Sequence, residues 1–172
     1  MILTIDPGAN TGWALSGFEG RLFDFGRIRS REDADKTCRT IRDFGVLDRL
    51  IIEKPQVYGS GRVRPNDLIT LALIAGAWGE AFRRLGPTSL EPEFICPREW
   101  KEQTPKDVSN ARTFAAMTPS ERGQFLDAGW SSPADKKRGA RKSDDVLDAI
   151  GINLWATRRT DKAGNVLARP PL

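Results

Sequence analysis

The chain has 172 residues, 39% hydrophobic and 29% charged, with 27 Lys and Arg against 23 Asp and Glu for a formal charge of +4. That balance describes one ordinary globular domain with a proper core, and its modest basic excess fits a polyanion partner without proving one. No apolar run reaches membrane-spanning length and no charged-then-apolar leader opens the chain, so a soluble protein with no membrane partner is expected. Cys38 and Cys96 each stand alone, which argues against a disulfide framework or a zinc site and for an intracellular, cytoplasmic setting. His is absent. Any acid–base chemistry must therefore rest on carboxylates, lysines, a thiol or a metal-bound water.

Met1 to Ile5 is a short apolar run ending on Asp6-Pro7-Gly8, which reads as a buried central strand entering a tight turn. Trp13 to Ser16 returns as a second strand, and Arg21 to Ile28 alternates as a third after the Gly17-Phe18-Glu19-Gly20 hairpin loop. Ser30 to Phe44 is a polar helix with Ser30 at its N-cap and Gly45 at its stop. Asp48 to Glu53 is another buried strand that ends on a carboxylate. A helix between two core strands implies a crossover, so this strand runs parallel to the first and both acids leave the sheet at one edge.

Val57 to Pro65 is a basic loop carrying Tyr58, Arg62 and Arg64. Asn66 is expected to cap a long helix, Asp67 to Arg84, apolar nearly all round and rich in small residues. Such a helix is buried on several sides, either on the sheet alone or also in a dimer seam. Glu93 to Cys96 is a fifth strand. Short helices follow from Arg98, Val108 and Thr118, with Lys101, Lys106 and Arg112 among them. A basic run of Lys136, Lys137, Arg138, Arg141 and Lys142 leads into a capped helix that opens at Ser143 and runs to about Thr157. The stretch from 158 to 172 is expected to be a disordered tail.

In the last helix Asp145 and Asp148 share a face, and Asp144 with Asp148 is an equally permitted pair. Acids in the first turn of a helix are favourable for their own sake, which covers Asp144 and Asp145 but not Asp148 among apolar neighbours. Two strand-end acids and a helical acid pair repel one another when brought together. Divalent cations reverse that cost, and an oxygen-only set selects Mg²⁺ or Mn²⁺. Two such ions are the known solution for phosphodiester hydrolysis.

Ile5-Asp6-Pro7-Gly8 with Thr11-Gly12, then Ile52-Glu53, then Asp145-Val146-Leu147-Asp148-Ala149 resemble the signature of the RuvC family of Holliday-junction resolvases. The resemblance spans about Ile2 to Ala156. It implies an α/β, RNase H-like fold over residues 1–157: a five-stranded mixed sheet, three antiparallel strands then parallel ones, flanked by helices. It implies Asp6, Glu53, Asp145 and Asp148 as catalytic metal-binding acids, with two Mg²⁺ or Mn²⁺ ions, and a bacterial or viral origin. Lys101 fits the first of two active-site lysines of the family, and Arg112 stands where the second belongs. Tyr58 is placed to stack at a junction centre. Arg62, Arg64, Lys106, Arg112 and the run from Lys136 to Lys142 are then DNA contacts, the run being either a clamp or a linker. A four-way DNA junction is two-fold symmetric, so a homodimer is implied.

Asp-Pro-Gly-Ala-Asn-Thr-Gly also resembles the phosphate-binding hairpin of sugar-kinase and actin-like ATPases, but those enclose nucleotide between two such domains and this chain has room for one. A nuclease of the same fold acting on another branched DNA or RNA, or a non-catalytic nucleic-acid-binding domain, are the alternatives that sequence leaves.

Overall fold

The computed structural model describes residues 1–55, 64–87, 90–134 and 143–167. Its strands are β1 (Ile2–Asp6), β2 (Thr11–Ser16), β3 (Leu22–Ile28), β4 (Arg49–Glu53) and β5 (Glu93–Ile95). They form a single mixed sheet in the order β3-β2-β1-β4-β5. β2 is antiparallel to both β1 and β3, while β4 lies parallel to β1 and β5 parallel to β4. The helices are α1 (Arg31–Phe44), α2 (Pro65–Arg83), α3 (Pro97–Trp100), α4 (Lys106–Ala116), α5 (Pro119–Asp127) and α6 (Asp144–Ala156). This is the mixed five-stranded sheet flanked by helices that the sequence predicts, with RNase H-like strand order.

Alternation along β1 divides the core in two. Leu3 and Ile5 face α1 and α2, where they join Ile41 and Phe82. Ile2 and Thr4 face α6: Ile2 packs with Ile152, and the Thr4 hydroxyl donates to the Ala149 carbonyl at 2.8 Å. The whole run from Val146 to Leu154 is buried. A helix apolar on all sides is tolerated here because α6 lies on the sheet and is covered from outside by α4 and α3. Gly12 on β2 makes the closest approach. A Cβ there would fall 1.9 Å from the Asp145 carbonyl oxygen, so only glycine lets the sheet touch the first turn of α6.

Four expectations are corrected. α2 begins at Pro65 with Arg64 as its N-cap, so Asn66 is already helical; Pro at the first position has no N–H to leave unpaired. α2 is not buried on several sides: Ala75, Gly79 and Phe82 face inward, whereas Ile69 is 58% and Leu73 70% exposed. Ser143 precedes α6 but makes no side-chain cap bond. Residues 158–167, expected to begin a disordered tail, are held against the domain. The Arg159 guanidinium donates to both Glu121 oxygens, at 2.7 and 2.9 Å, and to the carbonyls of Gly20 and Ala116. Beyond it Thr160 bridges Val166.

Glu121 also accepts the backbone N–H groups of Leu22 and Thr118, so one ion pair joins α5, β3 and the closing segment. Burial lifts its carboxyl, but the bonds from Arg159, Leu22 and Thr118 outweigh that and hold it below the ordinary value. A depressed folded value means stability that is full above the unfolded value and lost as pH falls through the folded one. Arg159→Met should leave Glu121 buried without its cation. Urea unfolding at pH 7 should show a loss of about 3–5 kcal/mol, and the acid side of the stability profile should change shape below the ordinary glutamate value; an unchanged midpoint would mean that the pair is dispensable.

Candidate active site

β1 and β4 are parallel with Ile5 opposite Ile52, so the next residue on each, Asp6 and Glu53, comes out at the same end. Two residues beyond Thr4, Asp6 falls on the α6 side of the sheet. The Thr4–Ala149 bond and the Gly12 contact set the first turns of α6 at that end. Asp145 and Asp148 are thereby delivered to the two strand-end acids. Asp148 is 3% exposed.

The remaining components come from the chain after β5. Pro97 starts α3, and the Glu99 side chain reaches back to the Cys96 N–H to close its first turn. This turn buries Trp100, whose indole N–H donates to Glu53 Oε2 at 2.6 Å. Lys101 lies over the Trp100 ring, 4.4 Å from its centroid. Its ammonium stands 3.2 Å from Asp148 Oδ1 and 3.6 Å from Glu53 Oε2. Lys106, at the start of α4, reaches the other Asp148 oxygen at 2.9 Å. Asp148 is thus clasped by two ammonium groups.

The carboxyls show the strain of their surroundings. Burial, then Asp148 and Glu53, push Asp6 well above the ordinary aspartate value, against the pull of Lys101 and Lys106. Glu53 is raised chiefly by burial, with Lys101 and the Trp100 bond opposing. Asp145 is raised by burial, with Lys106 and Arg29 among the opposing charges. Both lysines are shifted upward as well, which for them favours the charged form. Burial works against their charge, but Asp148 and the neighbouring acids outweigh it and hold both ammoniums above the usual lysine value.

Of the residues predicted for the site, Asp6, Glu53, Asp145, Asp148 and Lys101 are brought to one place, and Lys106 joins them directly. Asp144 is exposed and accepts from the Asn110 amide at 3.1 Å, which turns it toward α4 and away from the cluster. Arg112 is not at the acids: its guanidinium donates to the Ala163 carbonyl at 2.5 Å and lies against Gly164. Lys106, six residues earlier, makes the contact expected there. Arg64 is exposed at the N-cap of α2. Tyr58, Arg62, Lys136, Lys137, Arg138, Arg141 and Lys142 lie outside the described residues. Sequence reasoning missed Trp100 as a partner of Glu53. No periodicity signals it, although a Trp beside a predicted site lysine was on view.

Among the described residues no three acids or cysteines converge as a ready-made metal cage. The donor set nonetheless suits a hard divalent cation. It is all oxygen, partly dry, and its acids raise one another, a cost that added positive charge relieves. Two ammoniums already neutralise part of that charge.

No protein-family model and no curated protein matches this sequence. In fold the chain is similar to RuvC of Thermus thermophilus in complex with a Holliday junction substrate, at a TM-score of 0.39 and 14% identity over 91% of both chains. A second Thermus thermophilus RuvC structure gives 0.35 and 13%, over 91% of this chain and 92% of that one. Likeness of that size does not carry family or function; the fold class rests on strand order and crossovers.

Folded-state values raised above the unfolded ones mean that folding favours the protonated acids. Stability is then full below the ordinary carboxyl range and declines as pH climbs from there through the raised values of Asp6 and Glu53. In metal-free buffer at neutral pH, Asp6→Asn should therefore raise the melting temperature, by about 2–4 °C for each ~1 kcal/mol of relieved repulsion in a chain of this size. It should also flatten the decline. A variant that melts lower than wild type would show that the Asp6 charge is not under strain.

Proposed function

We propose that this protein is a divalent-metal-dependent endonuclease that cuts four-way DNA junctions in paired fashion as a homodimer. The observation that carries the reading is the gathering of Asp6, Glu53, Asp145 and Asp148 at one sheet edge with Lys101 and Lys106 among them. A binding domain with no chemistry to perform would gain nothing from buried acids that repel phosphate. Junction DNA as the substrate rests on the motifs around Asp6, Glu53 and Asp148, and the basic charge of the chain agrees with it.

Asp6, Glu53, Asp145 and Asp148 are the residues that would hold Mg²⁺ or Mn²⁺, and bound there two such ions would supply charge stabilisation at the phosphate and a more acidic water. The chain's own groups supply the rest. Trp100 fixes the Glu53 carboxylate through a bond made by a buried, immobile ring. Lys101, laid on that ring and held between Glu53 and Asp148, presents a fixed positive charge to an approaching phosphate. Lys106 is half exposed and at a helix start, so it can leave Asp148 and turn to the phosphate at modest cost.

The dimer reading is supported by α2. Its outer face presents Ile69 and Leu73, and open space surrounds Gly76. A second copy packed there would bury an apolar stripe that the single chain leaves in water.

With labelled junction, duplex and RNA–DNA hybrid offered side by side, the protein should make paired nicks in the junction alone, and only with Mg²⁺ or Mn²⁺. Asp6→Asn, Glu53→Gln and Asp148→Asn should each lower cleavage by about 10³-fold or more while junction binding holds or tightens. Asp145→Asn should hurt far more than Asp144→Asn. Full activity in Asp148→Asn would remove the metal-site reading; preference for the hybrid would move the substrate to RNA. Sedimentation should give twice the 19.1 kDa chain mass. Leu73→Glu should halve it without unfolding, because that side chain faces outward, and a monomer that still makes paired cuts would count against the symmetric arrangement.

A further inference from the structure

β3 is the free edge of the sheet beyond β2, and it runs in the same direction as β1 because both are antiparallel to β2. Its C-terminal end therefore emerges beside the acids. In register, Asp6 stands opposite Gly12, and Gly12 opposite Arg27. That row crosses two strand spacings, about 10 Å at ~4.8 Å each, equal to the axial rise of about three base pairs of duplex at ~3.4 Å apiece.

At the far end of the row lies a groove of about 410 Å³, bounded by Trp13, Gly26, Arg27, Arg29, Lys36 and Trp130. Gly26 shapes its floor. A Cβ there would sit 3.0 Å from Trp13 Nε1, so the indole lies against bare backbone. The Arg27 guanidinium lies over the Trp130 ring, 5.2 Å from its centroid. Arg29 is exposed, and its side chain forms no ion pair among the described residues. Lys36 pairs with Glu32 at 2.9 Å where both are largely exposed, a contact weak enough to exchange for a phosphate. The acid within the groove, Asp33, already accepts the backbone N–H of Arg29 at 3.0 Å, while its own N–H donates to the Ser30 hydroxyl that caps α1. Three cations thus line a channel whose acid is occupied, and one of them, Arg29, is near enough to Asp145 for its charge to favour the ionised carboxyl there.

We propose that this groove binds the phosphodiester backbone of the DNA strand that continues from the cut, Arg29 and Lys36 being its phosphate contacts. The proposal rests on the nuclease reading above. The two indoles are nearly buried, Trp13 at 5% and Trp130 at 7% exposure, so they stiffen the groove and do not stack on bases. Recognition is by charge and spacing, and it carries no base sequence.

The test is binding of a labelled four-way junction in EDTA, where nothing is cut, over a range of salt concentrations. The Arg29→Gln, Lys36→Gln double variant should lower the log–log salt slope by about two and weaken binding about tenfold or more at low salt. Arg21→Gln with Arg84→Gln removes the same charge away from the groove and should change the slope much less. Equal losses in both double variants would mean a diffuse field and overturn the groove. So would an unchanged slope in the groove variant, while leaving the nuclease reading in place. A wild-type protein that binds no DNA would sink both. If poly-glutamate binds wild type and loses affinity in the groove variant while the junction does not, the groove docks an acidic protein segment and the proposal is wrong.

Discussion

Everything at the candidate site follows from one constraint: carboxylates that end buried strands must be compensated. A single ionised carboxyl moved out of water costs several kcal/mol unless paired, and here Asp6 and Glu53 are joined by Asp148, with Asp145 beside them. The structure answers with Lys101 and Lys106 on Asp148 and the Trp100 N–H on Glu53. The compensation is incomplete, since Asp6, Glu53 and Asp145 all remain lifted above ordinary values. A site whose charge is only partly neutralised retains affinity for further cations.

That arrangement depends on how closely α6 can approach the sheet. Gly12 removes the side chain that would collide with the first turn of α6. Thr4 donates a hydroxyl bond to Ala149 one turn further on. Both lie within two residues of the Asp6 row, so the sheet positions the helix by the same strands that supply the acids. The Glu121–Arg159 pair does comparable work at the other end of the domain, tying the β2–β3 turn, α5 and the closing segment through one buried guanidinium.

Much of the fold was legible because its signals are local. Alternation and turn residues mark β1 to β3, and the apolar run before Glu53 marks β4. A helix between core strands forces the parallel crossover, which puts Asp6 and Glu53 at one edge. Local signals misled where they did not include a neighbour. The apolar composition of α2 suggested burial all round, yet its outer face with Ile69 and Leu73 meets no other part of the described chain. The stretch from Arg158 looked like a polar tail because Glu121, the partner of Arg159, lies 38 residues away.

By itself the sequence determined the order of the elements along the chain, the antiparallel meander, the parallel pairing of β4 with β1, the edge at which the acids emerge, and the identity of the residue types available for chemistry, with His excluded. These depend on patterns within a few residues and on the handedness of crossovers. Only the tertiary structure decided between Asp144 and Asp145, because helical spacing allows both to pair with Asp148 and the choice falls to Asn110 on another helix. It also replaced Arg112 with Lys106 at Asp148, and it revealed Trp100 as the donor to Glu53. Those contacts join residues brought together by the packing of α3 and α4 onto α6, and no periodicity along the chain encodes a distance across it.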